Sequence, residues 1–324
     1  MQRSTAPLRL SIIGFGAVGQ GVAKLVQTVP QLKVVAVADS RGVALTPDLE
    51  EILRRKRAGQ SIANSNFTAL DAIRTIDHDI VVEVTPTNIQ DAEPGLTHMR
   101  EALKNKRSVV TSNKGPLVVA FHELVQLAQK NGVALCYEAA VGGAMPIINL
   151  IRETLTGARI LDIMGVLNGT CNYILTRMAE EGLDYSLVLS EAQDMGIAEA
   201  DPTYDVMGID TACKVVILAN SFFDRNVTFT DVEVTGIDRI TPDALKLARQ
   251  RGFAVKLIGE VQELKVSPKM IPTGHPLNVG GTLNAASIWT DHAGEITVAG
   301  KGAGSVETAS AILSDIFSIS KGSY

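Results

Sequence analysis

An apolar run, Leu8-Arg-Leu-Ser-Ile-Ile13, is followed at once by Gly14-Phe15-Gly16-Ala17-Val18-Gly19, and a second apolar run, Lys33–Ala38, ends at Asp39. GxGxxG between a strand and a helix, with an acid about 20 positions later, is compatible with few folds. Gly14 permits the tight turn, Gly16 lets the backbone approach a pyrophosphate, and Gly19 lets the helix pack on the strand. A helix over 22–29 turns its free N–H groups and positive dipole end towards the phosphates. The six turn residues are therefore candidates for dinucleotide contact, and Asp39 for contact with a ribose. A purely structural glycine turn explains this context less well.

The pattern after Asp39 continues the same fold. Residues 48–62 read as a basic helix carrying Arg54-Arg55-Lys56-Arg57, most simply a solvated face. Apolar runs at Asp79–Val84, Ser108–Thr111 and Val133–Tyr137 alternate with helical patterns at Pro94–Lys104 and Phe121–Asn131. Strands alternating with helices make an α/β, doubly wound parallel sheet of Rossmann type. Residues just past the carboxyl end of such strands face the ligand crevice, which singles out Thr85 and Lys114. Glu138-Ala-Ala-Val141-Gly-Gly143-Ala-Met145 then offers one carboxylate and freed backbone carbonyls. An oxygen cage of that kind suits a hard cation, but the residues by themselves favour a plain hinge. Pro146 stands at a helix start that continues through Ile147–Thr156.

From about residue 158 the pattern is α+β. Strands are expected over Arg159–Val166, Phe253–Val266, Asn278–Ile288 and Glu295–Ala299, with helices after Leu167, over Leu187–Met195 and over Val306–Ser318. Asn168 and Thr170 either line a pocket or cap a helix. The expected division is a dinucleotide-binding domain over 1–140, closed by a C-terminal helix over 302–324, and a catalytic and dimerisation domain over 141–301.

Within that second part, Gly196-Ile-Ala-Glu199-Ala-Asp201-Pro-Thr-Tyr-Asp205 leads through Gly208 into a helix with Asp210, Lys214 and the run Val215–Ala219. The helix is apolar enough to be buried. Asp210 and Lys214, four residues apart, share a face. An ordinary surface ion pair is the plain alternative. Against it, an unpaired buried charge costs several kcal/mol, so charges kept on such a helix point to chemistry. Pro202 places Glu199, Asp201 and Asp205 on an irregular loop.

Composition removes other classes. A chain of 324 residues with 46% hydrophobic content has enough material for two cores. No apolar run reaches the ~18–20 residues of a membrane span, and the opening residues, with Arg3 and Arg9, do not read as a signal peptide. Three scattered cysteines without CxxC spacing suggest a reducing cytoplasm and neither disulfides nor zinc. A net charge of −5 with 4% aromatic residues argues against a nucleic-acid partner.

The motifs taken together resemble the homoserine dehydrogenases. They are GFGAVGQG (14–21), TSNKGPL (111–117), YEAAVGGAMPII (137–148), LNGTCNYI (167–174), EADPTYDVMGIDTACK (199–214) and GKGAGSVETASAILSD (300–315), in the family's order over nearly the whole chain. The resemblance implies NAD(P)-dependent interconversion of L-aspartate 4-semialdehyde and L-homoserine, on the route to threonine, methionine and isoleucine. It makes Lys214 the acid/base. Glu199, Asp210, Lys114, Gly169 and Thr170 become substrate neighbours, with Lys114 beside the nicotinamide and supporting catalysis. Thr85, Gly196 and Gly304 match cofactor-contacting positions. It further implies a sodium ion held by Glu138 and the carbonyls of Val141, Gly143 and Met145, reversing the preference for a hinge, and a homodimer joined through the second part.

The chemistry agrees with the residues. Hydride addition to an aldehyde builds negative charge on its oxygen, which a protonated lysine stabilises and then protonates. A carboxylate such as Glu199 suits the substrate's ammonium. Asp39 favours NAD, whereas Arg41, with Lys56 if the basic run folds back, favours NADP. Two departures from the family stand out: Ile197 where many members have Tyr, and few residues after Ser318, from which no regulatory domain responding to threonine is expected. Two rival readings remain. A phosphorylating semialdehyde dehydrogenase needs a thiolate and a histidine partner. A non-catalytic NAD(P) sensor has no use for Lys214 on an apolar helix.

Overall fold

The computed structural model describes residues 6–322; expectations for 1–5 and 323–324 lie outside the described residues. The chain forms two compact units, one running to Gly143 and resuming at Gly304, the other Ala144–Ala303.

In the first unit β1 (Leu8–Ile13), β2 (Leu32–Asp39), β3 (Gly42–Leu45), β4 (Ile80–Glu83), β5 (Ser108–Thr111) and β6 (Leu135–Cys136) form one sheet in the order β3-β2-β1-β4-β5-β6. All neighbours are parallel except β3, which is antiparallel to β2. The parallel core explains the unbroken apolar runs, because its strands are covered on both faces. The connecting helices are α1 (Ala17–Val26), α2 (Leu49–Arg57), α3 (Ala69–Thr75), α4 (Gly95–Lys104), α5 (Lys114–Val119), α6 (Phe121–Asn131) and α7 (Glu138–Val141). Asp48 caps α2, and Thr68 with Asp71 forms a capping box on α3.

In the second unit β7 (Ile160–Val166), β8 (Glu233–Val234), β9 (Phe253–Glu260), β10 (Lys265–Pro272), β11 (Leu283–Thr290) and β12 (Gly294–Lys301) pair in the order β12-β11-β7-β9-β10-β8. This sheet is antiparallel except for β10 with β8. Its helices are α8 (Gly169–Glu181), α9 (Tyr185–Asp194), α10 (Thr203–Val206), α11 (Ile209–Phe222) and α12 (Pro242–Gln250). The last helix, α13 (Ser305–Lys321), belongs to the first unit and packs on α1.

Several elements differ from the sequence reading. The helix expected from residue 22 begins at Ala17 and includes Gly21, where a Cβ would lie 2.6 Å from Ser305 O and 3.1 Å from Ala309 Cβ. That glycine is kept for the close approach of α13, not for a turn. The β2–β3 hairpin, with Ser40 and Arg41 at its tip, has no clear alternation to announce it. The strand expected over 253–266 is a hairpin: β9 pairs with β10 from Phe253↔Pro272 to Glu260↔Lys265, and the connecting turn holds Leu264 at φ 50°. The strand expected from Asn278 starts only at Leu283, past Gly281 at φ 60°. The helix expected through Thr156 shortens to a π-helical turn, Leu150–Thr154. Asp205 lies on α10 rather than on irregular loop.

One buried group carries a pH signature. His78 is fully buried, neither ring nitrogen has a hydrogen-bond partner among the described residues, and burial pushes its pKa down to about 4. The fold therefore favours neutral His78. That contribution is complete above about pH 6.5 and is lost as pH falls towards 4, amounting to at most ~3 kcal/mol. We expect His78→Met to lose less melting temperature than the parent chain between pH 7 and pH 4.5. Parallel losses in calorimetry would contradict this origin.

Candidate active site

In the first unit the glycine turn lies against the end of β4. Gly14 has φ 104°, and a Cβ there would sit 2.5 Å from Val84 O; a Cβ on Gly19 would sit 2.1 Å from Gly14 O. Both glycines are thus required by packing. A Cβ on Gly16 would meet nothing within 4 Å. Packing gives no reason for glycine at that position, whereas close approach of a pyrophosphate does. Phe15 is buried beneath the turn, while Ala17 and Val18 open α1. Gly304, at φ 132°, precedes α13, and Ser305 Oγ donates to Ala17 O at 2.5 Å.

At the far end of β2, Asp39 accepts from the Arg41 N–H at 2.8 Å and pairs with Lys56 Nζ at 2.5 Å. Lys56 folds back from α2, while Arg54 and Arg55 of the same run pair with Glu51. The Arg41 guanidinium donates to Gly59 O at 2.7 Å and Gln60 O at 2.9 Å. Asp39 is therefore not a free carboxylate: Lys56 pairs with it, while the Arg41 guanidinium is held by two backbone carbonyls.

Thr85 follows β4 and Lys114 opens α5 past β5, at neighbouring strand ends. Asn113 caps α5 by accepting from the Gly115 N–H at 3.1 Å, and its amide donates to Thr85 Oγ1 at 3.2 Å. Lys114, expected just past the end of a strand, is thus held in a helical first turn.

In the second unit α11 is buried at every position from Asp210 to Asn220. Lys214 Nζ donates to Asp210 Oδ2 at 2.7 Å and to Leu167 O at 2.5 Å, with only 6% of Lys214 and 7% of Asp210 exposed. Ammonium and carboxylate are both inside the protein, so this is not a surface pair. Asn168 has two tasks. Its oxygen caps α8 by accepting from the Cys171 N–H at 2.8 Å, and its amide donates to Asp205 Oδ1 at 2.7 Å and Asp210 Oδ2 at 3.0 Å. Of the two alternatives raised by the sequence for Asn168, the helix cap is realised. Burial, then the neighbouring Asp210, pushes the Asp205 carboxyl above the usual range.

Thr170 Oγ1 donates to Ile197 O at 3.1 Å, which ties the loop after α9 to the start of α8. The contact uses backbone at 197, so it does not depend on the side chain there. Gly196 ends α9 at φ 69°. The Glu199 carbonyl accepts from Gln193 Nε2 at 3.1 Å, and the residue itself is exposed. Gly169 leaves no room for a side chain, because its Cβ would lie 2.6 Å from Thr282 O.

Asp205 and Asn168 were absent from, or undecided in, the set of site residues read from sequence. The acid lay inside the specific 199–214 stretch, but its partner is 37 positions away, beyond the reach of local spacing. The thiols tell against a covalent route: all three cysteines are buried, and burial and Asp205 push Cys171 up, away from thiolate.

A dinucleotide fold whose companion unit buries a lysine between a carboxylate and a carbonyl defines a nicotinamide-dependent dehydrogenase. Two family models narrow the class: homoserine dehydrogenase, NAD binding domain, over residues 14–138, and homoserine dehydrogenase over residues 146–317. The homoserine dehydrogenase of Methanocaldococcus jannaschii is 50% identical over 95% of this chain and 97% of its own length. A chain of Archaeoglobus fulgidus solved under the same family name superposes with a TM-score of 0.90 at 48% identity, covering 96% of this chain and 99% of its own. A hyperthermophilic archaeal homoserine dehydrogenase mutant, solved in complex with NADPH, gives 0.86 at 30% identity over 98% of both chains. The chain belongs to the homoserine dehydrogenase family and is an NAD(P)-dependent oxidoreductase.

Because the raised Asp205 carboxyl opposes its own ionisation in the fold, its charge is a stability cost. That cost is absent below the ordinary carboxylate range and grows as pH rises through the raised value. We expect Asp205→Asn to melt higher than the parent at pH 7, with the gap closing towards pH 4, and to turn over more slowly. A gap that is constant with pH would remove this origin.

Proposed function

We propose that Lys214 is the proton donor and acceptor in the interconversion of L-aspartate 4-semialdehyde and L-homoserine. The observation supporting it is the buried Lys214–Asp210 pair. An ammonium has three N–H groups; one goes to Asp210 and one to Leu167 O, which leaves one for a substrate oxygen. The bound nicotinamide supplies or accepts the hydride. As charge builds on the aldehyde oxygen, Lys214 stabilises it and passes its proton, forming the alcohol. Asp210, held by Asn168, keeps the lysine in place. Glu199 takes the substrate's ammonium, and the N–H groups of Gly169 and Thr170, at the start of α8, take its carboxylate. Lys114 lies beside the nicotinamide, and Thr85, Gly196 and Gly304 complete the cofactor contacts.

The segment 138–145 suits a sodium ion. Among the described residues no three His, Cys, Asp or Glu side chains gather as a metal cluster, so a site here takes the form of one carboxylate with carbonyls. Glu138 is a buried carboxylate and Gly143 has φ 59°; with the carbonyls of Val141, Gly143 and Met145 the donors are all oxygen, as a hard cation prefers. Exposed Leu161, Met270 and Leu283 on the strands of the second sheet support a homodimer joined there. Among the described residues no helix is long and apolar enough to cross a membrane, and three free cysteines agree with a cytoplasmic setting.

For the cofactor, the Asp39–Lys56 pair removes much of the carboxylate's repulsion of a 2′-phosphate. Arg41, two residues on, adds a planar guanidinium that can turn to a 2′-phosphate, so NADP is bound at least as tightly as NAD. The archaeal relative solved with NADPH agrees with this reading.

Two measurements test the assignment. Lys214→Ala should lower kcat for NADPH oxidation on aspartate semialdehyde by roughly 10²-fold or more, with cofactor affinity nearly unchanged; near-normal turnover would take the proton away from Lys214. Arg41→Ala should weaken NADP binding by ~10-fold or more and leave NAD almost untouched, since each tenfold is about 1.4 kcal/mol. Equal losses for both cofactors in calorimetric titration would mean that Arg41 does not read the 2′-phosphate.

A further inference from the structure

Glu83 is the last residue of β4, paired with Ile13 of β1 and Thr111 of β5, and it is completely buried. A carboxylate in the middle of a parallel sheet is costly unless its oxygens are met. Here Oε1 is met by Thr85, just past β4, and Oε2 has Thr111, the last residue of β5, at its side. The Thr85 N–H donates to Oε1 at 3.2 Å, and the Thr85 hydroxyl donates to the same oxygen. Thr111 Oγ1 donates to Glu83 O at 2.8 Å and lies 3.5 Å from Oε2. The same hydroxyl accepts from the Asn113 N–H at 2.9 Å, and Asn113 Nδ2 returns to Thr85 Oγ1 at 3.2 Å. Asn113 in turn caps the helix that Lys114 opens. His98 of α4 approaches the same oxygen, its Nδ1 3.7 Å from Glu83 Oε1, too far for a direct hydrogen bond. Gly95 leaves room for this arrangement, since a Cβ there would sit 2.5 Å from Asn113 Nδ2 and 3.4 Å from Glu83 Oε1.

We propose that Glu83 is a positioning residue for hydride transfer, fixing Thr85 directly and Lys114 through Asn113; this rests on the reading that both flank the nicotinamide. An apolar residue at the end of β4 would serve the sheet equally well. What the Glu83 side chain adds is an acceptor that fixes the Thr85 hydroxyl, and that hydroxyl in turn accepts from the Asn113 amide, linking the chain ends after β4 and β5. Displacing a reacting group by about 1 Å costs up to ~10²-fold in rate, so such a tie acts on kcat.

Glu83→Gln keeps a carbonyl oxygen for Thr85, whereas Glu83→Leu fills a similar volume and offers none. With NADPH binding followed by fluorescence and turnover by absorbance, Glu83→Gln should stay within about threefold of the parent, and Glu83→Leu should lose about tenfold or more in kcat. Asn113→Ala cuts the same chain of bonds one step on and should lose kcat likewise, which keeps the test intact if Glu83→Leu does not fold. Combining Glu83→Leu, or Glu83→Gln in its place, with Thr85→Val should cost less than the product of the single losses, as for groups in one network. Glu83→Leu or Asn113→Ala that melts lower yet turns over like the parent overturns the proposal. Thr85→Val and Lys114→Ala, assayed singly, separate the two levels. If both bind NADPH and turn over normally, the reading of those residues as cofactor neighbours fails. If they are impaired while Glu83→Leu and Asn113→Ala are not, only the role of Glu83 fails.

Discussion

An ammonium group inside an apolar helix is the constraint around which the second unit is built. Inside it, a carboxylate and a carbonyl meet Lys214 Nζ at 2.7 and 2.5 Å. Removing one partner of such a buried pair typically costs ~3–5 kcal/mol, because the other is left uncompensated. Asp210 comes from the helix itself, one turn away. Leu167 O comes from the end of β7, where the chain leaves the sheet to start α8. The lysine therefore helps to specify how α11 sits on the sheet. Asn168, next in the chain, extends the network to Asp205 and caps α8 with the same side chain.

The first unit solves a different problem, bringing backbone close to a phosphate and side chains close to a ribose. Two of its three motif glycines are forced by the protein's own packing; Gly16 is not. At the ribose end the hairpin tip puts Arg41 two residues from Asp39, and α2 supplies Lys56. The charge there is no longer that of a lone acid, which is why the usual inference from an acid at the end of β2 fails to settle the cofactor.

Features carried by local spacing were legible in the sequence. The glycine turn, the alternation of strands and helices, and the Asp210–Lys214 pair each lie within a few residues, and each is written in backbone conformation or helical periodicity. The β9–β10 hairpin was missed because its turn uses Leu264 at positive φ instead of glycine or asparagine. The β2–β3 hairpin was missed because four residues of edge strand carry too little alternation. Asp205 and Glu83 act through contacts made by folding, and Asn168, legible as a helix cap, reaches Asp205 and Asp210 only through the fold. Burial was misjudged in one direction only: acidic residues in a charged stretch were placed on a loop, although Asp205 lies on α10 and is partly buried.

The imbalance of charge in the second unit has a consequence for recognition. Two carboxylates, Asp205 and Asp210, share the amide of Asn168, and only one of them is paired with Lys214. Burial already pushes Asp205 towards its neutral form, and Asp210 adds to that push. An incoming cation relieves both effects, whereas an incoming anion adds a third like charge.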